Sequence, residues 1–215
     1  MTSHKINLAI LASGSGTNLL NLVEVAERHK DRVDVKCLIT DKMDAGFLEH
    51  PICHDYKKIV VENSPKLGDN LDIRRANHEK AVLEHLFNEE VEWILLAGYM
   101  RILTPNFLNY FYDKKLDQYK IINIHPSLLP KFKGVRAMEK SFASGDKLAG
   151  ISVHFVSPEV DGGEIIHKEV IPRFKGDNYS NFSKRAKKAE HFAYKKVFLD
   201  LIYGHGKFAP IRDTI

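Results

Sequence analysis

Short apolar runs and amphipathic stretches alternate through the first half of this chain, and that alternation is what most limits the folds open to it. Ile6–Leu11, apolar apart from Asn7 and of strand length, reads as a first buried strand. After a glycine turn, Leu19, Leu20, Leu22, Val23 and Ala26 recur at the spacing of one helix face. Val33, Val35, Cys37 and Ile39 alternate as a second strand, and the β-branched residues 59–61 make a third. A polar loop with Pro65, Gly68 and Asp69 leads to a predicted helix over 73–87. Its buried side is expected at Ala76, Leu83, Leu86 and Phe87, with Glu79, Lys80 and Glu84 toward water. Residues 93–97 are apolar throughout and 121–124 are apolar apart from Asn123, as expected of parallel core strands covered on both faces. Strands separated by helices need crossover connections, so the prediction is an α/β fold: an open, mostly parallel twisted sheet with helices on both faces.

The second half changes character. Residues 151–156 and 164–171 are strand-like with too short a loop between them for a helix, so they are expected to pair as a hairpin or meander. A last helix carries Phe182, Ala186, Ala189, Ala193 and Val197 at steps of three and four and ends near Gly204. No repeat or linker divides the 215 residues.

Composition removes several classes. With 44% hydrophobic and 28% charged residues the balance is that of a globular protein without long disordered tracts. The apolar runs fall far short of the roughly 20 residues of a membrane span, so no membrane partner is expected. The start Met1-Thr2-Ser3-His4-Lys5 leads straight into the first strand without a cleavage site, which predicts a cytoplasmic protein. Cys37 and Cys53 are then free thiols. His50, Cys53 and His54 could offer three metal ligands, but zinc sites usually recruit four and no matching second cluster exists, so no metal is expected. A net charge of +4 suits anionic small molecules better than nucleic acid. The run from Lys184 to Lys188 reads as a solvated helix face.

Four segments carry chemistry. Ala12-Ser13-Gly14-Ser15-Gly16-Thr17-Asn18 sits between the first strand and the first helix, where amides at a helix start attract phosphate. It lacks the lysine of a P-loop and the third glycine of a dinucleotide fingerprint, so a plain turn fits the pattern as well. Asp41, after the second strand, is either a ribose-gripping acid or a loop aspartate. In the segment from Asn123 to Pro130, Asn123 and His125 lie two apart on one strand and so project side by side where Pro126 ends it. An amide donor beside an imidazole suits a developing oxyanion, and local strand-end hydrogen bonds are the plainer alternative. Asp161-Gly162-Gly163 makes the late turn, with Asp161 either a turn-former or a catalyst. Arg101, in Met100-Arg101-Ile102-Leu103, follows Gly98 at a strand end as a ligand contact or a loop charge.

Together these segments, with Ser152-Val153-His154-Phe155-Val156, resemble the phosphoribosylglycinamide formyltransferases, a folate-dependent family of purine synthesis. The likeness runs from about Ile6 to Phe174. It implies a single formyltransferase domain over 1–215, with a Rossmann-like, phosphate-binding half at 6–110 and a catalytic and folate-binding half at 111–215. The implied reaction moves a formyl group from 10-formyltetrahydrofolate to the amine of glycinamide ribonucleotide, without a metal or a covalent enzyme intermediate, in a monomer or homodimer. The resemblance assigns Asn123, His125 and Asp161 as catalytic and the amides of Gly16, Thr17 and Asn18 to the ribonucleotide phosphate. It assigns Arg74, Met100, Arg101, Ile102 and Leu103 to the folate pocket, with Ser157, Pro158, Glu159 and Val160 covering the pterin.

The chain departs from the family pattern at Lys133-Gly134-Val135-Arg136, where many members carry Pro-Gly and a histidine. It also lacks the acidic residue often found near Asp177-Asn178-Tyr179, and it has Lys195 where a proline commonly follows the tyrosine. Three other readings compete. A formyltetrahydrofolate deformylase is expected to have a regulatory domain before the first strand, and a methionyl-tRNA formyltransferase a further β domain after the catalytic part. A non-catalytic phosphate or folate binding module needs no amide, imidazole and carboxylate together.

Overall fold

The alternation in the first half becomes parallel crossovers in the computed structural model, which describes residues 5–204 and 208. The Met1 to His4 start lies outside the described residues. The chain forms two compact units that meet in sequence at Ile121 and Ile122.

The first unit holds β1 (Ile6–Leu11), α1 (Thr17–Glu27), β2 (Val33–Thr40), β3 (Lys58–Val60), α2 (Leu71–Asn88) and β4 (Trp93–Leu96). Its strands lie in the order β3-β2-β1-β4, all parallel. The central β1 is apolar on both faces because both are covered, and Leu8, Ala9, Ile10 and Leu11 are fully buried. Helix α1 buries Leu19, Leu22, Val23, Val25 and Ala26, as its spacing predicts. It starts at Gly16, whose φ of 74° and whose approach to Phe47, 2.9 Å from where a Cβ would stand, both require glycine.

Helix α2 corrects the sequence reading. Leu86 is buried and Lys80 and Glu84 are exposed as expected, but Ala76 is exposed and Phe87 is 49% exposed. The buried face is instead His78, Glu79, Val82 and Leu86. Glu79 turns inward because its carboxylate accepts the backbone N–H of Thr104 at 2.7 Å and also the Thr104 hydroxyl. Those bonds anchor the start of α3 (Pro105–Asn109), a helix the sequence did not announce. A small antiparallel ribbon, β5 (Tyr112–Asp113) with β6 (Gln118–Tyr119), was equally unannounced.

The second unit takes most of β7 (Ile121–His125), then α4 (Ala137–Ala143), β8 (Leu148–Phe155), β9 (Ile165–Pro172) and α5 (Tyr179–Tyr203). β8 pairs antiparallel with both β7 and β9, which is the expected late hairpin. Helix α5 ends at Gly204 and buries Phe182, Ala186, Ala193 and Val197. Within it, Tyr194 donates its hydroxyl to the Ile122 carbonyl at 3.1 Å. Lys184, Lys187 and Lys188 are exposed, but Arg185 departs from the solvated reading. Its guanidinium pairs with Asp177 and lies 4.7 Å over the Phe174 ring.

Cys37 and Cys53 are free and buried, and burial pushes the Cys37 thiol up to about 12. Among the described residues no helix is long and apolar enough to cross a membrane, and no three His, Cys, Asp or Glu side chains are grouped as metal ligands.

Candidate active site

The tip of β7 brings together the three residues singled out for catalysis. Its register against β8 sets Asn123 opposite His154 and His125 opposite Ser152. His125 is 5% exposed, and its Nδ1 lies 3.3 Å from the Asp161 carboxylate. Its Nε2 lies 2.9 Å from the Phe132 carbonyl, so both ring nitrogens face acceptors and a doubly protonated ring satisfies both. Asp161 also accepts the Gly134 N–H at 2.8 Å. The turn that carries it is tight: a Cβ on Gly163 would run into the Phe155 carbonyl. Asp161 itself holds a φ of 50°, and Phe132 and Arg136 hold 57°. Left-handed backbone at non-glycine residues costs of order 1–3 kcal/mol each, and here it clusters around one carboxylate.

Two further residues of this site escaped the sequence reading. His154 is 1% exposed and turns Nδ1 to the Phe155 carbonyl at 2.8 Å. A carbonyl only accepts, so Nδ1 carries the proton. Burial, the largest influence on this ring, lowers its pKa and favours the neutral form, which makes Nε2 a lone-pair acceptor. Asn123 donates its amide to that nitrogen at 3.3 Å, which fixes the amide's orientation. The same Nε2 stands 3.6 Å from Asp161. Ser152, fully buried, donates to the Ser127 carbonyl at 2.8 Å and accepts the Leu129 N–H at 3.0 Å, tying down the chain that follows His125. The signal was available: Ser152 and His154 put polar groups on one face of an otherwise apolar strand.

The first unit carries the other expected residues. The carboxyl ends of β1, β2 and β4 share an edge, which sets Ser13, Asp41 and the segment after Gly98 side by side. The Ser13 N–H donates to the Gly98 carbonyl at 3.1 Å, and the Met100 N–H donates to the Ser13 hydroxyl at 2.8 Å. Arg101 places Nε and a terminal nitrogen each 2.6 Å from the same oxygen of Asp41. Asp41 is thus an anchor for Arg101.

Beside this segment lies a cavity of about 300 Å³. Met100, Arg101, Ile102 and Leu103 line it, with Leu71, Val82 and Phe107. Its α2 arginine is Arg75, whereas Arg74 turns away and donates Nε to the Gly68 carbonyl at 3.3 Å. A second cleft, about 430 Å³, follows the glycine loop along Ser13, Gly14 and Ser15 with Lys42, and Gly16, Thr17 and Asn18 lie outside its lining. In the second unit Ser157 donates its hydroxyl to the Glu159 carbonyl at 3.0 Å, while Pro158, Glu159 and Val160 are exposed.

A formyl transferase family model matches residues 6–198. The phosphoribosylglycinamide formyltransferase of Bacillus subtilis is 35% identical over 194 residues, covering 90% of this chain and 93% of that one. The chain belongs to the formyl transferase family, with the phosphoribosylglycinamide formyltransferases. A crystal structure of glycinamide ribonucleotide transformylase 1 from Symbiobacterium toebii superposes with a TM-score of 0.82 at 32% identity, covering 94% of this chain and 90% of that one. The trifunctional purine biosynthetic protein adenosine-3 of Chironomus tentans is 34% identical over 195 residues, and this chain spans 13% of its length.

Two of the departures from the family pattern have structural roles here, and nothing in the structure explains Lys195. Gly134 supplies the N–H that holds Asp161, and Lys133 pairs with Glu159 at 2.7 Å. Asp177 is taken up by Arg185 and by the Phe174 N–H at 2.8 Å, and Asn178 caps α5, so this loop is committed to holding the helix start.

Proposed function

We propose that the chain transfers a formyl group from 10-formyltetrahydrofolate to the amine of glycinamide ribonucleotide, giving formylglycinamide ribonucleotide and tetrahydrofolate in cytoplasmic purine synthesis. The observation that carries this reading is the His125–Asp161 pair at 3.3 Å, buried beside an amide whose orientation His154 fixes. The residues of the cavity fit a folate: apolar walls at Val82, Ile102, Leu103 and Phe107 suit a flat ring, and Arg75 suits its carboxylates, so we assign Arg75 the place expected of Arg74. The formyl-folate supplies an electrophilic carbonyl on a nitrogen leaving group.

The protein's own groups do the rest. The Asn123 amide, through the N–H that His154 does not take, and the His125 Nε2–H, exchanging the Phe132 carbonyl for the substrate, donate to the formyl oxygen as negative charge grows on it. Asp161 takes the proton that the attacking amine must lose, and a proton returns to the departing nitrogen. Its Gly134 contact keeps the carboxylate aimed at the imidazole while this happens. The start of α1, at Gly16, Thr17 and Asn18, receives the ribonucleotide phosphate through the positive end of the helix, with Lys42 on the neighbouring cleft wall.

The test is product analysis with both substrates, then without the amine. Formylglycinamide ribonucleotide as the main product supports the reading. Formate as the main product in both cases overturns it in favour of a deformylase, and binding without turnover overturns it in favour of a binding module. His125→Ala should lower kcat by about 10² or more with little change in KM.

A further inference from the structure

The turn that carries Asp161 meets the loop after His125 through two bonds, and only one of them touches the Asp161 carboxylate. The Gly134 N–H donates to Asp161 at 2.8 Å. One residue earlier, the Lys133 ammonium donates to the Glu159 carboxylate at 2.7 Å. The first bond is main-chain and holds Asp161 whatever side chain stands at 133. The second reaches past Asp161 to residues 157–160.

That segment is otherwise bonded to its own turn. Pro158, Glu159 and Val160 are exposed, and the Ser157 hydroxyl and the Gly162 N–H both donate to the Glu159 carbonyl, at 3.0 and 3.1 Å. The Glu159 side chain folds back along the turn, so closely that a Cβ on Gly162 would stand 2.7 Å from its carboxyl carbon. Whatever holds that carboxylate therefore holds the turn. Lys133 itself stands between two left-handed residues, Phe132 with a φ of 57° and Gly134 with a φ of 78°. It lies in the stretch where many members of the family carry Pro-Gly. Proline stiffens a loop from within by fixing its own φ. Lysine does not, so its contribution here is what its ammonium holds.

We propose that Lys133 is a positioning residue for the formyl-folate: through Glu159 it holds residues 157–160, which the family resemblance sets over the pterin, in place before the folate arrives. This rests on the folate reading above. Lys133 acts on binding and leaves the chemical step to the residues at the tip of β7 and to Asp161.

The two side chains are 33% and 72% exposed, so the pair is a weak one and the expected effect is small and specific. Lys133→Met removes the charge and keeps most of the length. It should raise the KM for 10-formyltetrahydrofolate about two- to fivefold, with kcat and the KM for the ribonucleotide unchanged. Lys133→Arg should stay near wild type. Lys133→Glu and Glu159→Lys should each do more harm than Lys133→Met, and the two together should recover most of the loss. The ratio of the Lys133→Met to the wild-type folate KM should fall toward one between about 0.05 and 0.5 M salt, because salt screens an exposed pair. In the ligand-free protein, amide hydrogen exchange should quicken about two- to fivefold at Gly162 in Lys133→Met and stay the same at Gly134. An unchanged folate KM in Lys133→Met, losses that simply add in the double exchange, or a fall in kcat at constant KM overturns the inference. Absence of any formyl transfer by the wild type is a failure of the functional reading, whereas normal transfer with an unaltered folate KM in Lys133→Met is a failure of this inference alone.

Discussion

Two aspartates, Asp41 just after β2 and Asp161 in the turn between β8 and β9, are little exposed and are held by opposite kinds of partner. Asp41 is fully buried and meets a guanidinium, with two nitrogens of Arg101 on one oxygen and its other oxygen unpartnered. Asp161 is 10% exposed and meets two imidazoles, at 3.3 and 3.6 Å, and a backbone N–H. A guanidinium keeps its proton throughout the accessible pH range, so the first pair can only hold a shape. An imidazole changes charge near neutrality, so the second arrangement can exchange protons with a substrate. Burial and charge are shared by both aspartates; the partner decides which one can do chemistry.

The sharpest way to break this contrast is to make each carboxylate neutral or remove it. Asp161→Asn should lower kcat by about 10³ with both KM values nearly unchanged, read by steady-state formyl transfer. A comparable fall in kcat for Asp41→Asn would erase the distinction. Asp41→Ala should instead act on stability. Breaking a fully buried pair costs about 3–5 kcal/mol, but Arg101 is 34% exposed and regains water, so about 1–3 kcal/mol is expected from urea unfolding. The kcat of that variant should stay within about threefold of wild type if Asp41 only anchors Arg101.

The smallest effect concerns pH. His78 and His154, one in each unit, both have pKa values lowered by burial, so the folded protein resists protons that the unfolded chain accepts. Their contribution to stability is complete above the ordinary value of 6.5 and shrinks as the pH falls below it. The urea midpoint should therefore drop between about pH 7.5 and 5.5, and less so in His154→Phe, which removes one of the two groups. A steeper slope in that variant would mean that the folded state holds the ring charged.

Periodicity exposed those parts of the fold whose residues serve one neighbour. Helix α1 buries the stripe its leucines mark, and Asn123 and His125 share a strand tip because alternate residues must. It failed where a residue answers to a partner far along the chain. Glu79 looked like a water-facing position until Thr104, 25 residues on, supplied two donors. Arg74 and Arg75 are adjacent on one helix, and only the packing of the Gly68 turn shows which of them faces the cavity. Asp161 by itself read more readily as a turn-former than as a catalyst, and its distance of 3.3 Å to His125 is an observation that local sequence could not supply. The alternation of β8 could have flagged His154, but only strand register shows that it faces Asn123.

The grip of Gly134 on Asp161 has a consequence for how freely this loop can vary. A main-chain N–H is the same whatever side chain hangs beside it, so Lys133 and Val135 can be exchanged without loosening the Asp161 carboxylate. The position that resists exchange is Gly134, whose φ of 78° suits glycine and whose N–H proline would delete. A loop that has lost the spelling of its relatives can therefore keep their grammar.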